Sequence, residues 1–216
     1  AADAQVGDDF QINPEQIELR YFGVLTKIFN VGRFASQFDF DADLDEIPDN
    51  LENEDKWILA EFSDLLGKAK KGYSNLDIYT AAQGIKTFST GIFASHWLEM
   101  AKTRLYNEDA SATWTLHRIF RDLLSILSPI CPFFTHHLST TLYEKSSVEV
   151  DVFPESPITD TQSWTEKTDD LVEFNSVVWK AKKDAGVSLA APISGHNVPS
   201  SLKEIEAALV AMHKLE

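Results

Sequence analysis

Apolar residues recur at helical spacing through the first two thirds of the chain, and four long amphipathic stretches and one shorter one stand out. The opening stretch begins at Asn13-Pro14-Glu15-Gln16, where Asn13 can cap, Pro14 suits a first helical position and Gln16 completes a capping box. It predicts a helix to about Phe38 that buries Ile17, Tyr21, Val24, Leu25, Ile28 and Ala35, while Arg20, Gly23, Lys27 and Asn30 share another face. A second helix is predicted from about Asp55 to Lys71, with Trp57, Ile58, Ala60, Leu65 and Leu66 inward and Gly72 as C-cap. Ser74-Asn75 can cap a third helix to about Tyr106, whose core side is Leu76, Tyr79, Ile85, Phe88, Ile92, Phe93, Leu98 and Leu105. Gly84 and Gly91 on it would allow close helix approach. The fourth places Leu116, Ile119, Phe120, Leu123, Leu124 and Leu127 at helical spacing. Pro129 then ends it, and Pro132, with no amide hydrogen to lose, opens a fifth apolar helix across a tight bend. Five antiparallel helices with short connections predict an up-and-down bundle over residues 10–145.

The pattern changes after Tyr143. Val148, Val150 and Val152 alternate with polar residues, so 147–153 reads as a strand that Pro154 and Pro157 end. A helix from about Thr168 to Ala185 closes at Gly186, Val187 to Ile193 reads as extended, and Ser201-Leu202-Lys203-Glu204 is a capping box for a last helix. Residues 146–216 are therefore expected to form a small α/β appendage on a mainly α protein.

Composition narrows the class. At 216 residues with 44% hydrophobic and 25% charged positions, the chain has ample length for a core and the make-up of a globular protein. No apolar run approaches the roughly 18 residues that span a bilayer, and AADAQVGDDF lacks the basic and apolar regions of a signal peptide, so a cytosolic protein without a membrane is expected. The single cysteine, Cys131, fits a reducing compartment and reads as a small core residue. A formal net charge of −15 opposes bulk attraction to nucleic acid. The acids are partly segregated, however, with Asp39, Asp41, Asp43, Asp45, Glu46, Asp49, Glu52, Glu54 and Asp55 in one connector. The bases fall elsewhere, at Lys27 and Arg33, Lys68, Lys70 and Lys71, Lys102 and Arg104, Arg118 and Arg121, and Lys180, Lys182 and Lys183; solvated helix faces account for most of them singly.

Several blocks taken in order resemble one family. Asn30-Val31-Gly32-Arg33-Phe34 is similar to the W-N-x-x-R-F segment of the helical anticodon-binding domain in the valyl, isoleucyl and leucyl class of aminoacyl-tRNA synthetases, with Phe29 where tryptophan is usual. Asp55-Lys56-Trp57-Ile58-Leu59 resembles that domain's D-x-W-I-L helix. Trp97-Leu98-Glu99-Met100-Ala101-Lys102-Thr103-Arg104 resembles Y-L-E-x-x-K-x-R, and the Pro129/Pro132 junction resembles L-x-P followed by x-x-P-F. Phe174 to Ile193 and Ala211 to Leu215 look like the end of archaeal-type valyl-tRNA synthetases. One departure is His136-His137 in place of the glutamates usual after Thr135, which changes the charge at a helix N-terminus.

The resemblance implies tRNA as partner, the anticodon stem-loop as the part recognised, and a longer enzyme whose N-terminal catalytic and editing domains use ATP and Mg²⁺. The H-x-G-H and K-M-S-K-S signatures of those domains are not in this sequence, and neither is a Walker loop or dinucleotide fingerprint. The fragment alone is thus expected to bind without catalysing aminoacylation and to need no cofactor. No catalytic residue stands out. His96, His117, His136 and His137 with Cys131 lack the paired spacing of a structural zinc site, so no metal is expected. Reading an anticodon loop requires cations for phosphates, a planar group for stacking and polar groups for base edges. Asn30, Arg33 and Phe34 offer all three, Lys27 lies nearly one turn away, and Lys102, Arg104, Arg118 and Arg121 are secondary candidates. Phe34 in the core and Asn30 bonded between helices is the structural alternative; Trp57 and Trp97 read as core anchors. A helical protein-interaction domain with an acidic surface is the rival reading, separable by whether tRNA binding weakens as salt rises.

Overall fold

The computed structural model describes residues 15, 22–40, 43–143 and 152–216, and among them the protein is mainly α-helical. Helix α1 spans Gly23–Ala35 and buries Ile28, Val31, Gly32 and Ala35. A Cβ on Gly32 would lie 3.0 Å from Phe120 Cζ, so the missing side chain sets how closely α1 approaches the centre of the bundle. The capping pattern at Asn13–Gln16 lies outside the described residues apart from Glu15. Helix α2, Asn53–Ser74, starts two residues before Asp55 and runs past Gly72. Gly72 is not its C-cap: a Cβ there would meet Asp77 O at 2.9 Å, and its carbonyl accepts from Asp77 N at 2.8 Å, so this glycine allows the chain to reverse against the helix end.

The third predicted helix begins later than Ser74-Asn75. Asp77 is the cap, accepting from Thr80 N at 3.0 Å. Leu76, expected in the core, sits in the left-handed region at φ 59° and is 79% exposed. From there one continuous rod comprises α3 (Ile78–Thr87), a ten-residue π-helical segment (Phe88–Trp97) and α4 (Leu98–Tyr106). The wider π turn, with i→i+5 bonding, brings Phe88 and Phe93 onto one face, where they stack at 5.8 Å, and Phe93 in turn stacks on Trp97 at 5.4 Å. Gly84 admits Leu65 from α2, whose Cδ1 would lie 3.1 Å from an added Cβ; Gly91 has open space around it.

Helix α5 (Ala110–Leu127), capped by Asp109, is the central rod, and all six of its predicted apolar positions are buried. It ends two residues before Pro129, and α6 (Pro132–Tyr143) opens with Pro132 at its first position. The bend is closed by hydrogen bonds from Ile130 N and Cys131 N to Leu127 O, both 3.0 Å. The five rods alternate in direction, as an up-and-down bundle requires.

Beyond the bundle come α7 (Gln162–Thr165), α8 (Thr168–Asp184), a 3₁₀ turn (Ser200–Ile205) and α9 (Glu206–His213). The strand expected at 147–153 falls outside the described residues except for Val152 and Phe153. Among the described residues the extended share of this region is one isolated parallel bridge, Ile193 with Leu215. Leu171, Phe174, Val178, Leu202, Ile205 and Leu209 join the same buried cluster as the bundle. Trp57 Nε1 donates to Thr168 Oγ1 at 2.9 Å and Asn53 Nδ2 to Glu204 O at 2.9 Å, tying α2 to α8 and to the turn before α9.

At the centre lies a buried carboxylate, Asp55, with no exposed surface. It accepts from Arg104 Nη1 and Nη2 at 3.0 and 2.7 Å, Ser111 Oγ at 2.7 Å and Trp97 Nε1 at 3.2 Å, so α2, the π segment, α4 and α5 meet on one charge. Arg104 also reaches Glu54 and Asp109, each at 2.9 Å. Burial disfavours its charge, yet the hydrogen bonds and attraction of Asp55, Asp109 and Glu54 hold its pKa above the ordinary arginine value. Removing one partner of such a pair strands the other, at a cost of about 3–5 kcal/mol. Asp55→Ala should therefore lower unfolding free energy by about that amount, read from urea denaturation monitored by circular dichroism; a loss below about 1 kcal/mol would show the network to be peripheral.

Candidate nucleic-acid interface

The amphipathic pattern that buries Ile28, Val31 and Ala35 leaves Asn30 and Arg33 exposed on α1. Arg33 makes no side-chain hydrogen bond or ion pair among the described residues, and its carbonyl accepts from Ser36 Oγ at 2.9 Å. Phe34 is half-buried rather than core. Its ring meets Phe38 at 4.9 Å and Tyr106 at 6.1 Å, both edge-on, and Tyr106, at the end of α4, is 63% exposed. A guanidinium, an amide and an aromatic ledge thus stand side by side at one edge of the bundle.

Lys27 lies further back along α1. Its ammonium donates to Thr90 O and, at 3.0 Å, to Ser95 Oγ, both on the π segment. Lys102 on α4 is paired with Glu99 at 2.6 Å, and both lysines line the same surface cleft. Close beneath Lys27 is His96, whose pKa is pushed down by burial and then by the Lys27 charge. His96 Nδ1 is 2.9 Å from Asn175 Nδ2, and Asn175 Oδ1 is 2.8 Å from His213 Nε2. The amide nitrogen donates to His96, and His213 carries its proton on Nε2. This buried relay locks the C-terminal helices onto the π segment.

The other candidates are engaged inside the fold. Arg104 is held by the three carboxylates described above. Arg118 is 7% exposed; it bonds Asp122 at 2.6 Å, Leu44 O at 2.8 Å and Glu155 O at 3.2 Å. Arg121 pairs with Asp45 at 2.7 Å and Asp122 at 2.9 Å. These two arginines fasten the acidic connector to α5, together with Trp114 Nε1, which donates to Asp43 O at 3.2 Å. The structure therefore sets Asn30, Arg33 and Phe34 along α1, brings Lys27 and Lys102 to one cleft, and turns Arg104, Arg118 and Arg121 inward.

His117, considered as a metal ligand, is buried instead: it bonds Phe38 O at 2.8 Å and stacks on Phe40 at 4.1 Å. Among the described residues no three His, Cys, Asp or Glu side chains are placed to hold a metal ion. Trp57 and Trp97 are fully buried. The basic run at Lys180–Lys183 is not one face, since Lys182 is fully buried between exposed Lys180 and Lys183. Tyr106 was not singled out from sequence; as the last residue of α4, its fourfold spacing from Lys102 was the available signal.

The family described as the anticodon-binding domain of tRNA ligase matches residues 55–196. The chain belongs to this family. The valine–tRNA ligase of Sulfurisphaera tokodaii is 36% identical over 153 residues, covering 70% of this chain and 19% of that protein. That of Saccharolobus solfataricus is 33% identical over 197 residues, covering 89% and 23%. That of Nanoarchaeum equitans is 28% identical over 223 residues and covers 100% of this chain, α1 included, and 28% of its own length. The chain thus spans between about a fifth and somewhat over a quarter of these relatives. No described helix is long and apolar enough to cross a membrane.

The histidine relay gives a pH signature. Burial, then the charges of Lys182, His196 and His96, pushes the His213 pKa down from 6.5 to about 4. A depressed value means the contribution to stability is complete above about 6.5 and is lost as pH falls toward about 4. Such a gap corresponds to about 3 kcal/mol. Urea midpoints of the wild type should fall more steeply between those pH values than those of His213→Gln; parallel curves would show that His213 titrates normally in the folded chain.

Proposed function

We propose that the chain is the anticodon-reading region of a valine–tRNA ligase and that the exposed edge of α1 takes the anticodon stem-loop. The observation that carries this is Arg33: of the four candidate arginines it alone projects from the bundle without a carboxylate partner among the described residues, next to the Phe34–Tyr106 ledge. A loop whose bases splay outward offers phosphates to Arg33 and Lys27 and base faces to the aromatic ledge. Asn30 supplies a donor and an acceptor for a base edge. Valine, rather than isoleucine or leucine, is favoured by the names of the relatives that cover most of the chain.

On this reading the chain's contribution is binding. Formation of the aminoacyl bond, with its ATP and Mg²⁺, and editing belong to the parts of such an enzyme that lie outside these 216 residues, and the work is done in the cytosol. Holding the anticodon end sets the register in which the acceptor end meets those parts.

Arginine's planar fork holds a phosphate or base edge and stacks as well, which alanine cannot replace. Loss of one charge-assisted contact costs roughly 1.5–3 kcal/mol, about ten- to a hundredfold in affinity. Arg33→Ala should weaken binding of valine tRNA by that factor at fixed salt, measured by fluorescence anisotropy, with the melting temperature unchanged. Arg104→Ala should instead lower the melting temperature. Equal tRNA affinity for wild type and Arg33→Ala would remove Arg33 from the interface.

A further inference from the structure

Lys27 and Lys102 form one wall of a cleft of about 700 Å³ whose other wall comes from the C-terminal helices. That second wall carries Lys183, Lys214 and Trp179, and one carboxylate, Glu99, faces the cleft. Four ammonium groups against one carboxylate are concentrated here in a chain of net charge −15. Glu99 is occupied by Lys102, and Lys183 and Lys214 have no carboxylate partner among the described residues.

The cations of the second wall stand on a fixed floor. Lys182, fully buried, donates to Leu189 O and His213 O, both at 2.8 Å, so one ammonium fastens the loop after α8 to the last turn of α9. Lys214 follows that turn in the left-handed region at φ 50°, where glycine or asparagine is usual. Trp179, half-buried in the wall, packs on His96 at 5.3 Å and His213 at 5.7 Å and so belongs to the relay that joins the two walls.

We propose that this cleft is a second RNA-binding site, in which Lys183 and Lys214 take phosphodiester groups of the tRNA backbone while Lys27 and Lys102 close the opposite side. The site rests on the tRNA reading given above and extends it from α1 to the C-terminal helices. Its chemistry is that of a polyanion: two ammonium groups without a carboxylate partner among the described residues stand on one wall and face two more on the other, which suits successive phosphates of a strand without reading base identity. The Lys214 charge also reaches the buried floor, since burial and then Lys214 push the Lys182 pKa down; a phosphate bound at Lys214 offsets that repulsion.

The test uses the 216-residue chain, labelled tRNA and a salt titration. Lys183→Gln with Lys214→Gln should weaken binding by at least about a hundredfold at low salt and reduce the slope of log affinity against log salt by about 1.4–1.8, the share of two phosphate contacts. A control with Lys68→Gln and Lys203→Gln, two exposed lysines outside the cleft, removes the same charge and should leave the slope unchanged. Equal slopes for wild type and the cleft variant, with Arg33→Ala still weakening binding, would overturn the cleft and leave the α1 interface standing. Equal losses in cleft and control variants would overturn it too, since bulk charge would then be the cause. Absence of salt-dependent tRNA binding by the unsubstituted chain would overturn both proposals. Capture of a polyglutamate peptide by the cleft lysines, with tRNA affinity unaffected by their loss, would reassign the cleft to an acidic protein partner.

Discussion

A single buried carboxylate organises this bundle. Asp55 is removed from water completely, which is tolerable only because four donors from three other parts of the chain converge on it. A hydrophobic core alone would let helices slide or rotate with modest loss; a desolvated charge satisfied by a bidentate guanidinium, an indole and a hydroxyl has essentially one arrangement. Because Arg104 is fixed two residues before Tyr106, the pair also fixes the ring against which Phe34 rests, and so the aromatic part of the α1 edge.

Charge is sorted by the same means. The acidic connector would repel a polyanion if it were free to wander, but Arg118 and Arg121 bind it down through Leu44 O and Asp45. Those arginines are thereby consumed, and the cations left exposed include Arg33 on α1, Lys68, Lys70 and Lys71 on α2, and Lys180, Lys183 and Lys214 along the C-terminal helices. A strongly acidic chain can in this way present a locally basic surface, and net charge is a poor guide to what each face attracts.

Much of the bundle was legible because its signals are local. The buried stripe of α5, Pro132 at a helix start and the tryptophan anchors all follow from spacing and from residue types with few alternatives. The roles of the basic residues were not legible, because whether an arginine is free depends on partners far away in sequence: Glu54 and Asp55 for Arg104, Asp45 for Arg121. Lys182 is the sharpest case. In a run of lysines its position looks solvated, yet the carbonyls of Leu189, seven residues on, and of the more distant His213 make a niche for it. The cap at Asp77 was missed for a related reason, since Gly72 reads as a helix end when its use is to let the backbone of Asp77 fold back against it. The cleft was invisible for want of any contiguous motif; its lysines come from four separate segments.

The π segment has a consequence for how this fold can change over time. A helix acts as a phase shifter: each residue added to its turns rotates everything downstream, and ten residues of wide turn set the angle at which Trp97 and Arg104 leave the rod. An ordinary α-helix over the same span would be the better backbone, yet deleting a residue to reach it would swing both side chains away from Asp55 while leaving Phe88 against Phe62. The less favourable geometry is thus held in place by the partners at its two ends. Insertions and deletions within Phe88–Trp97 should be far rarer among descendants of this chain than substitutions at the same positions.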